Sequence, residues 1–152
     1  MTLHEFQRRI HDFSIEDEIV NTVNATESTI TGLIRTQMAF GLKGAGKIKN
    51  VFTKKYDYSL WWGDHRQTLG LQIDFFDFKV TGEFYKSIGV FKVTSTSYEI
   101  YARSVKTRNL VKLFTENIFN LNDDSLDEYI RDSFFPELKR RIEMKLGVGF
   151  GA

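Results

Sequence analysis

The sequence predicts a single α+β domain, with N-terminal helices, a small antiparallel β-hairpin or sheet in the middle, and C-terminal helices. Three observations lead there. Residues 15–38 carry apolar side chains at helical spacing, residues 89–104 alternate as two short strands, and residues 126–146 return to an i, i+4 apolar stripe. A length of 152 residues suits one domain, and 41% hydrophobic with 27% charged residues supports a packed core rather than disorder. No internal repeat, linker or low-complexity block divides 1–152.

The first predicted element is a short helix over 3–12, with Leu3, Phe6 and Ile10 at helical spacing. A second starts after Ser14, where Asp17 three residues on resembles a capping box and the acids of the first turn complement the helix dipole. Ile15, Ile19, Val23, Ile30, Leu33, Ile34 and Met38 mark one face of it. The Thr- and Asn-rich stretch 22–31 lowers helix propensity within that span, and Gly41 is its natural stop. A flexible, basic loop is expected over about 41–55.

The middle is dense in aromatics, including Trp61-Trp62 and the run Asp74-Phe75-Phe76-Asp77-Phe78, with one helix over 59–69. After a short segment at 81–88, GVFKVTST and SYEIYARS read as strands joined by a Ser/Thr-rich turn, Val90, Lys92 and Thr94 alternating with Phe91 and Val93. A helix follows over 107–119, with Leu110, Leu113, Phe114 and Ile118 inward. The last begins with Ser125 as N-cap answered by Glu128, and its stripe of Leu126, Ile130, Phe134, Leu138, Ile142 and Leu146 crosses Pro136. A proline there should kink or split the helix. The closing GVGFGA, 147–152, reads as a mobile tail.

Composition narrows the chemistry. With no cysteine, disulfides, thiolate catalysis and cysteine-based zinc sites are excluded. The charged N-terminal stretch has no apolar segment of a secretion signal, and no apolar run is long enough for a membrane span, so a soluble chain that crosses no membrane is expected. Against 20 acidic residues stand 21 basic ones, a net charge of +1 that gives no general drive toward nucleic acid or anionic lipid. A local basic patch is expected at Lys43, Lys47, Lys49, Lys54 and Lys55.

GLKGAGKIKN, residues 41–50, begins like a phosphate-binding loop. That loop needs a hydroxyl after its Gly-Lys to hold magnesium, a buried strand before it and a helix opening after it. Here Ile48 follows Gly46-Lys47, a helical pattern precedes, and no amphipathic stripe comes next. The segment reads as a helix stop followed by a loop.

Other catalytic signals are no better. His4 and His11 share a helical face with no third ligand at metal spacing, and read as exposed helix residues. Asp64-His65 is an acid–base pair only if adjacent side chains converge. Asp74 and Asp77 read as polar turn residues around inward phenylalanines rather than as a carboxylate pair, and Asp123-Asp124 needs only a helix dipole. No enzyme and no cofactor are expected. Phe52, Lys54, Lys55, Tyr56, Tyr58, Trp61 and Trp62 offer stacking with phosphate neutralisation, so a small single-stranded nucleic-acid-binding module using 52–62 is the alternative function.

FKVTGEFYKSIGVFKVTSTSYEIYA, residues 78–102, resembles the central motif of neck and tail-completion proteins, the head–tail connectors of tailed bacteriophages. A Thr-Gly pair there precedes a hydrophobic residue, a basic residue, Ser-Ile and a hairpin; the counterparts are Thr81, Gly82, Phe84, Lys86, Ser87 and Ile88. Thr81 can cap a short helix, Gly82 allows close packing, and Phe84 with Ile88 point to the core. RTQMAFGLKGAGKIKN and KKYDYS are similar to virion proteins of phages infecting Bacteroidetes, including crAss-like phages, through Gln37, Gly41, Gly46, Tyr56 and Ser59. IFNLNDDSLDEYI extends the likeness more loosely, whereas the usual proline before Thr-Gly is missing and the C-terminal helices are longer.

The resemblance implies a non-enzymatic virion protein of the neck or tail, assembled in the host cytoplasm. It would work as a homo-oligomeric ring whose partners are itself and other neck and tail proteins; the lack of a long apolar run and the net charge of +1 separately lead us to expect no membrane and no direct nucleic-acid partner. Gly41, Lys43, Gly44, Gly46, Lys47 and Lys49 would then form an adaptable docking loop, ordering with the tail on assembly.

Overall fold

The computed structural model describes residues 1–149 and 151. Its helices are α1 (Leu3–His11), α2 (Ile15–Ala25), α3 (Glu27–Ala39), α4 (Leu60–Thr68), α5 (Glu83–Lys86), α6 (Thr107–Phe114), α7 (Asp123–Tyr129) and α8 (Phe135–Leu146). Strands β1 (Leu42–Lys43) and β2 (Gly46–Lys47) make one antiparallel hairpin, and β3 (Ile88–Phe91) with β4 (Glu99–Ala102) make another. This is the α+β order expected, with the hairpin β3–β4 in register Ile88↔Ala102 to Phe91↔Glu99.

Local chemistry explains the boundaries. Thr2 and Glu5 form a reciprocal capping box at α1, and Ser14 Oγ accepts the Asp17 N–H at 3.2 Å to start α2. The helical face expected to run on to Met38 is broken at Thr26. Thr22 Oγ1 donates to the Glu18 carbonyl at 2.6 Å and Thr26 Oγ1 to the Thr22 carbonyl at 2.8 Å, so hydroxyls compete for the carbonyls that propagate a helix. Thr26 Oγ1 also lies 2.9 Å from the Tyr129 hydroxyl, which ties the break to α7.

Two further expectations need correction. The cap of α7 is Asn122, whose Oδ1 accepts the Ser125 N–H at 2.8 Å, so the helix starts a turn before the predicted Ser125. The helix expected over 107–119 ends at Phe114, because Thr115 has φ 69 and a 3₁₀ turn, Glu116–Phe119, follows. At Pro136 the expected division takes the form of a change of helix type rather than a break in the chain. A π-helical turn, Ile130–Phe134, separates α7 from α8 and leaves proline in the first turn of α8, where its missing N–H has no helical acceptor to serve.

The main core gathers Ile34 and Met38 of α3, Ile48, Phe76, Phe84, Ile88, Ala102, Phe114, Ile118 and Phe119. A second cluster, Val23, Ile30 and Tyr129, lies where α2 and α3 meet α7. Helix α8 packs along α2 and α1, with buried Glu18 placed 3.8 Å from both Arg141 and Lys145. Of the tail expected to be mobile, 147–152, Gly147 is the left-handed C-cap of α8, while Phe150 and Ala152 lie outside the described residues. Among the described residues no helix is long and apolar enough to cross a membrane.

Candidate functional site

The motif segment is a structural joint. Phe84 and Ile88 are both buried, as their spacing implies, and Ser87 Oγ donates to the Phe84 carbonyl at 2.7 Å to close the single turn of α5. Lys86 is exposed. Thr81 is exposed too, and its hydroxyl accepts the Glu83 N–H at 3.4 Å while Gly82 holds the N-cap position. The role expected for Gly82 is corrected: an added Cβ would meet nothing within 4 Å, so its φ of 81, not close packing, is what calls for glycine.

The segment Gly41 to Asn50 is likewise not a loose loop at its start. Its first half is the hairpin β1–β2, and Ile48 beyond it is buried, its N–H donating to the Gly41 carbonyl at 2.8 Å. Gly41 is packed so tightly that an added Cβ would sit 2.6 Å from Phe75 Cδ2, and one on Gly44 would sit 2.6 Å from Asn120 Cβ. The hairpin follows a helix and opens none, so none of the three phosphate-loop requirements is met. Lys43, Lys47 and Lys49 come together around an open concavity with Tyr56, while Gly46 forms the β2 end of the turn.

The larger feature is an apolar cleft of about 550 Å³ between α4, the chain at 76–82 and α6. Its floor is an edge-to-face aromatic set: Tyr58 on Phe76 at 4.9 Å, Phe76 on Phe114 at 4.7 Å and Phe78 on Phe114 at 4.8 Å. Trp62, Val80, Leu110 and Leu113 add apolar wall, and Lys55 and Lys106 stand with Asp57 at its polar margin.

Beneath the cleft lies a polar cluster. Arg66, only 1% exposed, donates from Nη2 to Asp77 Oδ1 at 2.8 Å, from Nε to the Gln72 carbonyl at 2.9 Å and from Nη1 to the Lys79 carbonyl at 3.0 Å. Its Cζ lies 4.2 Å from the Tyr58 ring centre. Asp77 Oδ1 also accepts the Tyr58 hydroxyl and the Lys79 N–H, each at 3.0 Å, and the Tyr85 hydroxyl donates to the Asp77 carbonyl. Burial pushes the Tyr58 hydroxyl up to about 12, and burial beside Asp77 raises Tyr85 as well. The pair holds the chain at 72–79 against α4 and keeps the aromatic floor in place. Asp77 is therefore a buried anchor, not the turn residue expected, whereas Asp74 is exposed.

The remaining candidates do not converge on chemistry. His4 and His11 are exposed, and His11 pairs only with Asp12 at 3.1 Å. His65 stacks against Trp61 and Trp62 and makes no hydrogen bond to Asp64. Sequence reasoning missed the cleft and the burial of Arg66. Asp77 gave no sequence signal of its burial: between Phe76 and Phe78 an extended chain would turn it outward, and the contact with Arg66 draws it in. Compared with known proteins, the chain matches no family model, no curated sequence and no solved structure.

Proposed function

We propose that the chain is a non-enzymatic structural protein of a tailed-bacteriophage virion, a neck or tail-completion component. Identical subunits form a ring that joins the portal side of the head to the tail. Its partners in this reading are further copies of itself and neighbouring neck and tail proteins, and its place is the virion after assembly in the host cytoplasm.

The observation that carries the reading is apolar surface that nothing among the described residues covers. The cleft stays open, and beside it on α4 Leu60 is 90% and Trp61 76% exposed. A contiguous apolar hollow flanked by an exposed tryptophan is what a protein interface uses and what an isolated monomer avoids. Ring contacts are heterologous, so a hollow on one face is matched by a different surface on the next subunit. The Thr81–Ile88 segment, which carries the family resemblance, supports the same reading because it builds the joint that presents the cleft wall.

Quantitative mass spectrometry of purified particles tests it, with copy number scaled to the portal and major capsid proteins. The reading expects a simple stoichiometric ratio to the portal. Absence from particles overturns it.

A further inference from the structure

We propose that the concavity formed by Lys43, Lys47, Lys49 and Tyr56 is a phosphate site, and that the phosphates it takes belong to a nucleic-acid backbone. The inference stands apart from the ring reading and from the apolar cleft.

The concavity measures about 270 Å³ and its lining holds three lysines and no acid. None of those three lysines makes an ion pair among the described residues. They are presented by fixed backbone rather than by a loose loop. Lys47 and Lys49 flank the buried Ile48, and the hairpin is locked by Gly41 against Phe75 and by Gly44 against Asn120. Lys43 and Lys49 are themselves half-buried, so their stems are packed while both side chains line the same concavity. Three lysines that line one concavity with no acid beside them repel one another, and an anion with several acceptor oxygens offsets that repulsion.

The arrangement selects a polymer over a free nucleotide. No helix N-terminus faces the concavity from the hairpin, and the position of the magnesium-binding hydroxyl is the buried Ile48. Lysines are point charges, and their affinity for one phosphate in water is small. Along a nucleic-acid strand each contact adds by releasing a counterion. Tyr56, 48% exposed, lies under Lys49 with its ring centre 6.0 Å from Nζ, and Phe52 nearby in the chain is 65% exposed. Both offer faces on which bases can stack. The net charge of +1 conceals this patch because acids elsewhere balance it.

The test is fluorescence anisotropy of a short labelled oligothymidylate with the full chain across a salt series. Lys43→Gln/Lys47→Gln/Lys49→Gln is expected to weaken binding about tenfold or more and to flatten the salt dependence by about 2 in log–log slope. Lys47→Gln alone, at an exposed position, gives a smaller change of the same sign with an unaltered melting curve. Lys112→Gln, outside the concavity, leaves binding unchanged. The proposal is overturned if the parent chain does not bind, or if the triple variant binds as the parent does. It is also overturned if inorganic phosphate at equal ionic strength displaces the oligonucleotide more effectively than chloride, which marks a free-phosphate site. Loss of self-association in the triple variant, with oligonucleotide binding intact, assigns the lysines to a protein interface and overturns it too.

Discussion

Arg66 and Asp77 meet at 2.8 Å under the aromatic floor of the cleft, and Arg66 is the largest side chain sealed from solvent among the described residues. A buried ion pair contributes little over a well-packed apolar pair, but half of one is costly. Here all three nitrogens of the guanidinium have an acceptor, so the arrangement is complete only with both partners present.

Asp77→Ala should therefore destabilise the fold by about 3–5 kcal/mol, measured by urea denaturation. Arg66→Met combined with Asp77→Leu should recover a large part of that loss. A single substitution costing under about 1 kcal/mol would show that water already reaches the pair.

Alkaline pH addresses the same cluster through Tyr58. Its hydroxyl is raised from 10.0 to about 12 in the folded chain, so the unfolded chain loses this proton first. The associated stability is fully present below about pH 10 and is lost as pH rises through about 12. Urea midpoints taken across that window should fall, and Tyr58→Phe should make the fall shallower. Equal slopes in parent and variant would remove Tyr58 as a contributor.

Two glycines should respond to alanine with opposite signs. At Gly41, with φ 70 and Phe75 Cδ2 only 2.6 Å from an added Cβ, Gly41→Ala should cost about 1–3 kcal/mol. Gly32 lies inside α3 with nothing within 4 Å of its added Cβ, so Gly32→Ala should stabilise by about 0.5–1 kcal/mol. Thermal melts of the two variants decide it, and a shift of the same sign in both would contradict the packing described around Phe75.

Exposed apolar residues give the sharpest separation of folding from assembly. Leu60→Asp and Trp61→Ala should leave stability within about 0.5 kcal/mol of the parent, since neither side chain supports the core. Both should prevent ring formation, followed by sedimentation velocity, and incorporation into particles. Normal assembly of both variants would place the contact elsewhere.

Most of the architecture was legible because it rests on local pattern. Ser14 marks α2 by a short-range signal, and the Ser/Thr-rich turn marks the hairpin β3–β4, although β3 ends at Phe91 and the expected alternation through Val93 and Thr94 lies outside it. What was illegible depends on contacts distant in sequence. Thr26 breaks a helix whose apolar stripe continues, and its hydroxyl contact with Tyr129 spans 103 residues. The strands β1 and β2, two residues each, are too short for any periodicity to show. At the site, lysine spacing revealed a basic segment, but only burial of Ile48 turned it into a concavity. Arg66 gave no sign at all. An arginine in a helix of weak amphipathic pattern reads as solvated until the chain at 72–79 is folded over it.

Both tryptophans of the chain, Trp61 and Trp62, are consecutive residues of α4. Its ultraviolet emission therefore comes almost wholly from one edge of the molecule. Trp61, largely in water, sets the red side of the spectrum, and Trp62 in the cleft wall sets the blue. Whatever closes over that edge must shift the colour and shield the rings from quenchers. The chain thus carries its own optical gauge of docking, readable without any label against a purified partner that lacks tryptophan.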